Sequence, residues 1–591
     1  MTNLKEQKMN TETNNYLTST QWISSCYAMT DSGTAIVVHE KEVTIDKTTH
    51  DIITVKNNLR IIKNPKRRVY ITKPQFRNHK YKKETEFLDR TDCYTIEDRY
   101  VVDHLKKILD INPYKRMSLM EICDSPYIYG ADVSMESLVR QRYIHNAQHQ
   151  VVPITTGAFD IEKSVLGDDQ INCITFIAEE NIYTAVHNSF MWKYDSNQKK
   201  HKATKNDIIE LAHNLLAKYL NQPFKWPLSK KSNTYKNFKL HVEVFDTEEE
   251  LLRWIFARVH EERMDFIGIW NIGYDIPTIM DRLKKLDIDP KDIFCDPSVP
   301  KEYRKAYFKE DKKKVQHIVD KWHWFDCTSY SQFVDSMLLY NRVRKVNSKE
   351  PSYSLDAIST KEVGEGKLKF DNIGGHYEMQ TTRFVEYVVY NIMDAILIQL
   401  MEWKNTDMTS MYRQTGNSPL SELSKQSVML KNKYAEFCLH ELPNHPEYIG
   451  KPKVYATVGK NMKGPFDSII GKVGGAVLKA DNTCDIGTKC IIERNNLETM
   501  VLQYGADQDY SAIYPTTDST YGISKETKLY TCVGIEGMDR SVIEPLFGGL
   551  ANPKENAVWI GHNYFGLPNY TEMREIFGTW YQEQKLKQLS Q

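Results

Sequence analysis

The sequence predicts a multidomain chain of α/β class, α+β in its wider organisation. Two observations carry this. At 591 residues the chain is longer than one hydrophobic core can serve, so three or four domains are expected. β-type runs at 171–178, 181–187 and 240–245 precede a run of helical period, Leu251, Leu252, Ile255, Phe256 and Val259. Lys plus Arg balances Asp plus Glu at 78 each, so no global field draws in nucleic acid and any such contact must come from local patches. The ten cysteines include no C-x-x-C pair, and Cys484 and Cys490 have no Cys/His partners at zinc spacing. This composition reads as a reduced cytoplasmic protein without structural zinc. No uncharged apolar run is long enough to span a bilayer, so no membrane association is expected.

In chain order, residues 1–18 are polar and read as a disordered leader, and 19–150 as an N-terminal domain. The patches Thr34–His39 and Val43–Asp46 make its first part β-rich, while 96–145 reads as a helical, polar connection. A basic run, Lys63, Lys66, Arg67, Arg68, Lys73, Arg77, Lys80, Lys82 and Lys83, is interleaved with Tyr70, Phe76 and Tyr81. That mixture suits phosphate neutralisation with base stacking as well as it suits a solvated face. Lys66, Arg67 and Arg68 are its candidate DNA contacts.

The stretch Phe159-Asp160-Ile161-Glu162-Lys163 reads as a strand, and alternation puts Asp160 and Glu162 on one face. Such a pair can hold hard divalent ions through oxygen, although alone it is more readily a solvated strand face. Two β-type runs follow at 171–178 and 181–187, then a lysine-rich segment from about 193 to 237. Leu240–Phe245 is a strand, Thr247 with Glu250 forms a capping box that opens a helix, and Phe266–Trp270 is apolar throughout, as a strand buried on both faces would be. Asn271 and Asp275 emerge at its end. This order of strands and helix, with acids at strand ends, is the plan of a ribonuclease-H-like nuclease sheet. On a helix expected from Phe384 to Leu400, Tyr390 and Asp394 are four apart and share a face, where a phenol beside a carboxylate can orient water.

These three segments, in this order, resemble the F-D-I-E, N-x(2–3)-Y/F-D and Y-x(3)-D motifs of the proofreading domain of family B DNA polymerases, particularly those of T-even-type tailed phages. Trp270–Pro277, Pro351–Ser359 and Gly366–Phe370 look like local signatures of the same enzymes. The resemblance implies a ribonuclease-H-like 3′–5′ exonuclease domain over 151–405. Asp160, Glu162, Asp275 and Asp394 would hold two Mg²⁺ or Mn²⁺ ions there, with Tyr390 positioning the attacking water and Asn271 placing the substrate strand.

Further on, Gly474-Gly475 is similar to the family's Gly-Gly element near the template strand. Asp509-Tyr510-Ser511-Ala512-Ile513-Tyr514-Pro515 is similar to D-x-x-S-L-Y-P, with Ala512 and Ile513 departing from it. The resemblance implies that Asp509 is a metal ligand and that the Tyr510, Ser511, Ala512 and Ile513 backbone meets a triphosphate. Tyr514 would exclude a ribose 2′-hydroxyl. Residues 406–560 would then be the N-terminal part of a palm and 561–591 the start of fingers. The K-x(3)-N-S-x-Y-G and Y-x-D-T-D motifs do not occur in this sequence. The expected function is therefore the N-terminal part of a family B DNA polymerase acting in phage DNA replication. Its expected partners are DNA, a second polymerase chain, dNTP only in the completed enzyme, and a sliding clamp. A free-standing 3′–5′ exonuclease with a vestigial polymerase fragment is the alternative. A non-catalytic nucleic-acid-binding scaffold is a third reading, against which the full acid set argues.

Overall fold

The computed structural model describes residues 16–414 apart from short stretches, the longest being 79–85, 145–152 and 221–236. Beyond 414 it describes the strands Lys453–Val454, Lys528–Val533 and Ile560–Tyr564. Gly474, Gly475, the motif from Asp509 to Pro515, and Lys80, Lys82 and Lys83 lie outside the described residues. The chain divides into two units, Met1–Val458 and Gly459–Gln591, and the described part of the second is an antiparallel pair, Lys528–Val533 with Ile560–Tyr564.

A six-stranded mixed sheet organises the first unit. Its spatial order is Lys239–Phe245, Asn181–His187, Ile171–Ala178, Thr156–Lys163, Phe266–Ile269 and Gln332–Asp335. Ile171–Ala178 runs antiparallel to both neighbours, and the three remaining pairings are parallel. Side-chain alternation divides the sheet between two cores. Phe159, Ile161, Ile174 and Phe176 face a core completed by the helices Glu248–Glu262 and Ile272–Lys285. Ala158, Cys173, Ile177 and Ile182 face the other, filled by the helices Lys205–Leu220 and Phe384–Asn405. Asp160 and Glu162 share the face of Ala158, so the pleat aims both carboxylates at the second helix layer.

Local chemistry sets the element ends. Thr247 and Glu250 form the reciprocal capping box expected, opening Glu248–Glu262. The helix Phe384–Asn405 is apolar almost all round because it is enclosed on all sides. By length and composition it would pass as a membrane span, but 89% of its apolar window is buried inside the protein.

The N-terminal region departs from expectation in two places. A strand already begins at Tyr16, and Tyr16, Leu17 and Thr18 pair with Asp46, Ile45 and Thr44, so the expected leader overlaps the first strand of a three-stranded sheet. The aromatic and β-branched side chains there favour the ladder. Residues 96–145 are more than a helical connection. The strands Lys66–Thr72, Thr91–Glu97 and Ile128–Tyr129 form a small sheet with a core of Val69, Ile71, Val101 and Leu105.

A buried ion pair joins the three-stranded sheet to the six-stranded one. Lys41 donates to Asp265 Oδ2 at 2.5 Å and to the Pro153 carbonyl at 2.8 Å, and both side chains are almost wholly buried. Thr155 adds its backbone N–H to the same carboxylate. His39 lies 3.7 Å from Asp265 Oδ1, and burial lowers its pKa, so the neutral imidazole adds no charge. Around the pair, Trp22, Ile36, Val139, Phe266 and Tyr412 form a shared core. Removing one member leaves an uncompensated buried charge. Lys41→Met is expected to destabilise the first urea-unfolding transition by about 3–5 kcal/mol, and Lys41→Met with Asp265→Leu to recover much of that loss. Equal stability of parent and Lys41→Met would contradict this assignment.

Candidate active site

Three segments far apart in sequence meet above the Asp160 strand. Asp160, Glu162 and Asp394 each present an oxygen within 4.8 Å of the others. The strand Thr156–Lys163 supplies the first two, and the helix Phe384–Asn405, lying across that sheet face, supplies the third. Asp275 comes from the first turn of Ile272–Lys285 and stands beside this trio, outside the 4.8 Å set. Its buried carboxyl accepts the backbone N–H of Ile161, the residue between the two strand acids, and its charge reaches Asp160.

Each acid is held by a donor. Asn391 Nδ2 donates to Asp160 at 2.7 Å, and its own Oδ1 accepts from Thr175, the cross-strand partner of Asp160, at 2.6 Å. Tyr387 donates to Glu162 at 2.6 Å, while Gln380 donates to the Tyr387 hydroxyl and to the Lys163 carbonyl. Lys367 donates to Asp394 Oδ2 at 2.5 Å and to the Tyr390 hydroxyl at 2.9 Å. Gly366 makes that placement possible. A Cβ there would lie 2.4 Å from Asp356 Oδ1, the atom that accepts the Lys367 backbone N–H. Ser354 in turn caps the helix carrying Asp356.

The electrostatics follow from burial and crowding. Burial first, then the charges of Asp394, Asp275 and Glu162, raise the Asp160 pKa well above the usual carboxylate range. Asp394 is pushed up to about 7 by burial, against the opposing Lys367 ammonium. Burial alone would lower the Lys367 pKa, but Asp394 and Tyr390 hold it high, so it stays cationic. Burial and the Asp394 charge push Tyr390 up to about 12, so it remains a neutral phenol near neutral pH.

The donor set fits a divalent cation. All the donors are hard carboxylate oxygens, and Asp394 Oδ1 is buried without a hydrogen-bond partner among the described residues. A groove of ≈ 1120 Å³ opens alongside, lined by Asn271, Gly273, Tyr274, Tyr307, Lys309, Lys312, Lys321 and His323 among others. Asn271 is the N-cap residue of Ile272–Lys285, yet its side chain makes no capping bond. The cap comes from Asp335, whose carboxylate accepts the N–H of Ile272 at 3.1 Å and of Leu338 at 2.8 Å. The Asn271 amide is thereby left to the groove.

The structure brings together Asp160, Glu162, Tyr390 and Asp394, with Asp275 and Asn271 at the margin. Lys66 and Arg68 are exposed in the small N-terminal sheet. Arg67 is corrected: it is 4% exposed, bonded to both Asp98 and the Ala131 carbonyl, and cannot serve as a phosphate contact. Alternation along Lys66–Thr72 turned it inward. The expectations for Gly474, Gly475, Asp509, Tyr510, Ser511, Ala512, Ile513 and Tyr514 fall outside the described residues. Sequence reasoning missed Tyr387, Asn391 and Lys367. Tyr387, Tyr390, Asn391 and Asp394 stand at i, i+3, i+4 and i+7, a polar stripe on an apolar helix, and that stripe was the available signal.

Residues 120–358 match the family model described as "DNA polymerase family B, exonuclease domain". The chain is similar to a "DNA-directed DNA polymerase" of Enterobacteria phage T4, 26% identical over 159 residues, and to one of Escherichia phage RB69, 28% identical over 161. Each match covers 27% of this chain and 16% of the relative's length.

The raised acids set a pH dependence of stability. An unfolded Asp titrates near about 3.9, whereas Asp394 in the fold titrates at about 7 and Asp160 is raised as well. Between those values the folded state holds protons that the unfolded chain has lost, so metal-free stability from these groups falls as pH rises from about 4 to about 7. Thermal unfolding in EDTA is expected to give a higher midpoint at about pH 5 than at about pH 8, with the difference shrinking in Asp160→Asn with Asp394→Asn. An undiminished difference in that variant would show that these two groups are not responsible.

Proposed function

We propose that the chain hydrolyses DNA from its 3′ end at the Asp160, Glu162, Asp275 and Asp394 site, a reading supported by the match of residues 120–358 to the family B DNA polymerase exonuclease domain. The observation that carries this reading is the convergence of Asp160 and Glu162 from one strand with Asp394 from a distant helix, Asp275 standing beside them. Two divalent ions held by these carboxylates would activate water and offset the charge developing on the phosphate.

The chain's own groups do the rest. Lys367 is a fixed cation beside Asp394, offsetting carboxylate repulsion while leaving Asp394 Oδ1 available. Tyr390, kept a neutral phenol by its raised pKa and held by Lys367, orients the attacking water in line with the phosphorus. Asn391 and Tyr387 fix the rotamers of Asp160 and Glu162, so the ligand oxygens are placed before substrate arrives. Asn271 and Tyr274 face the groove and hold the terminal nucleotides.

The D-x-x-S-L-Y-P-like motif at Asp509 to Pro515 supports a proofreading role beside a polymerising site. In that reading the K-x(3)-N-S-x-Y-G and Y-x-D-T-D motifs come from further polypeptide, in this chain or in another. Residues 1–591 by themselves are then expected to cleave primers without extending them, and to gain extension when polypeptide bearing those motifs is supplied.

Purified protein with magnesium or manganese is expected to shorten a 5′-labelled single strand nucleotide by nucleotide. Asp160→Ala with Glu162→Ala should lower the rate by about 10³-fold or more, because the acids act as a unit. Tyr390→Phe should cost less, about 10- to 100-fold, since only water orientation is lost. Parent-like cleavage by the double variant would overturn the proposal.

A further inference from the structure

Outside the acidic site, the lysine-rich segment builds a feature that the proposed chemistry does not use. Trp192–Tyr194 and Lys200–Lys202 form a short antiparallel ribbon in which all six residues are exposed. Its register sets Trp192 opposite Lys202 and Tyr194 opposite Lys200, so two aromatic rings and two ammonium groups share one face. The Lys200 ammonium lies 4.2 Å from the Trp192 ring centroid, and the indole is oriented by Nε1 donating to the Ser189 carbonyl.

The base of the ribbon is fixed. Met191 and Ala203 are buried, and the Ala203 N–H donates to the Met191 carbonyl. Phe190 stacks on Phe384 at the start of the helix that carries Tyr387, Tyr390 and Asp394. Ten residues separate Phe384 from Asp394, so the ribbon's mount stands about 15 Å along that helix from the acids.

Neighbouring lysines are neutralised, Lys193 by Asp207, Lys205 by Glu243 and Lys239 by Glu180. Lys200 and Lys202 have no carboxylate partner among the described residues. Exposed lysines alone would protect a strand edge from aggregation. That role needs no tryptophan and tyrosine, each 37% exposed, beside them.

We propose that this ribbon is a second binding site for single-stranded DNA, in which Trp192 and Tyr194 stack on bases while Lys200 and Lys202 meet phosphates. Residues two apart on one strand are separated by about 6.6 Å, far more than the 3.4 Å between stacked bases, so the pair fits a splayed single strand and not a duplex. The inference rests on the nuclease reading, since it gives the substrate strand a hold away from its reacting end.

The test uses the full chain carrying Asp160→Ala, in EDTA, binding a fluorescent thymidine 12-mer by anisotropy. Adding Trp192→Ala is expected to weaken binding about tenfold. Adding Lys200→Gln and Lys202→Gln is expected to flatten the log–log salt dependence by about 1.4. In the parent background with manganese, the same three changes should raise KM for the 12-mer and leave hydrolysis of a trinucleotide unchanged. Unaltered affinity and salt slope would overturn the ribbon assignment, as would equal losses on the trinucleotide and the 12-mer or equal losses on blunt duplex and single strand. Failure of the nuclease reading would appear separately, as absence of cleavage by the parent, with the EDTA binding arm still deciding the ribbon.

Discussion

The arrangement depends on the burial of carboxylates that the fold forces together. Four acids occupy one largely enclosed region, and among the described residues the ammonium set against their charge is that of Lys367. Burial first, and neighbouring carboxylate charge second, make Asp160 and Asp394 favour their protonated forms more than solvated carboxylates do. A site of this kind is poised toward added positive charge. The surrounding structure supplies direction more than compensation: Asn391, Tyr387 and the Ile161 N–H each hold one acid without neutralising it.

That restraint links the sheet, both helix layers and the loop before the long helix. The Asp160 strand gives alternation, the helix Phe384–Asn405 gives a second surface, and Asp335 ties the Asn271 cap to the edge strand. Lys367 reaches the cluster only because Gly366 lets Asp356 close on the backbone. The fold positions the acids through backbone and buried side chains whose own packing leaves little freedom, as preorganised sites require. The same helix that presents Asp394 also anchors the exposed ribbon through Phe384.

Much of this was legible from residue patterns, because the deciding periodicities are local. Alternation placed Asp160 and Glu162 together, the Thr247 and Glu250 pair marked a helix start, and four-residue spacing put Tyr390 with Asp394. What escaped depends on tertiary contact. Lys367 is separated from Asp394 by 27 positions and lies outside any helix, so no periodicity joins them. Arg67 has the composition of a phosphate contact, but one step of strand register buries it against Asp98. The leader reads as polar by composition, whereas Tyr16 to Thr18 gain partners from a strand nearly thirty residues later.

The chemistry proposed for the chain stands on Asp160, Glu162 and Asp394 forming a divalent-cation site. The most direct measurement is a manganese titration of the full chain followed by electron paramagnetic resonance, at a pH above the Asp394 value of about 7. Saturable manganese binding is expected for the parent, and its loss in Asp160→Ala with Asp394→Ala. Equal binding by the parent and by that variant would contradict it.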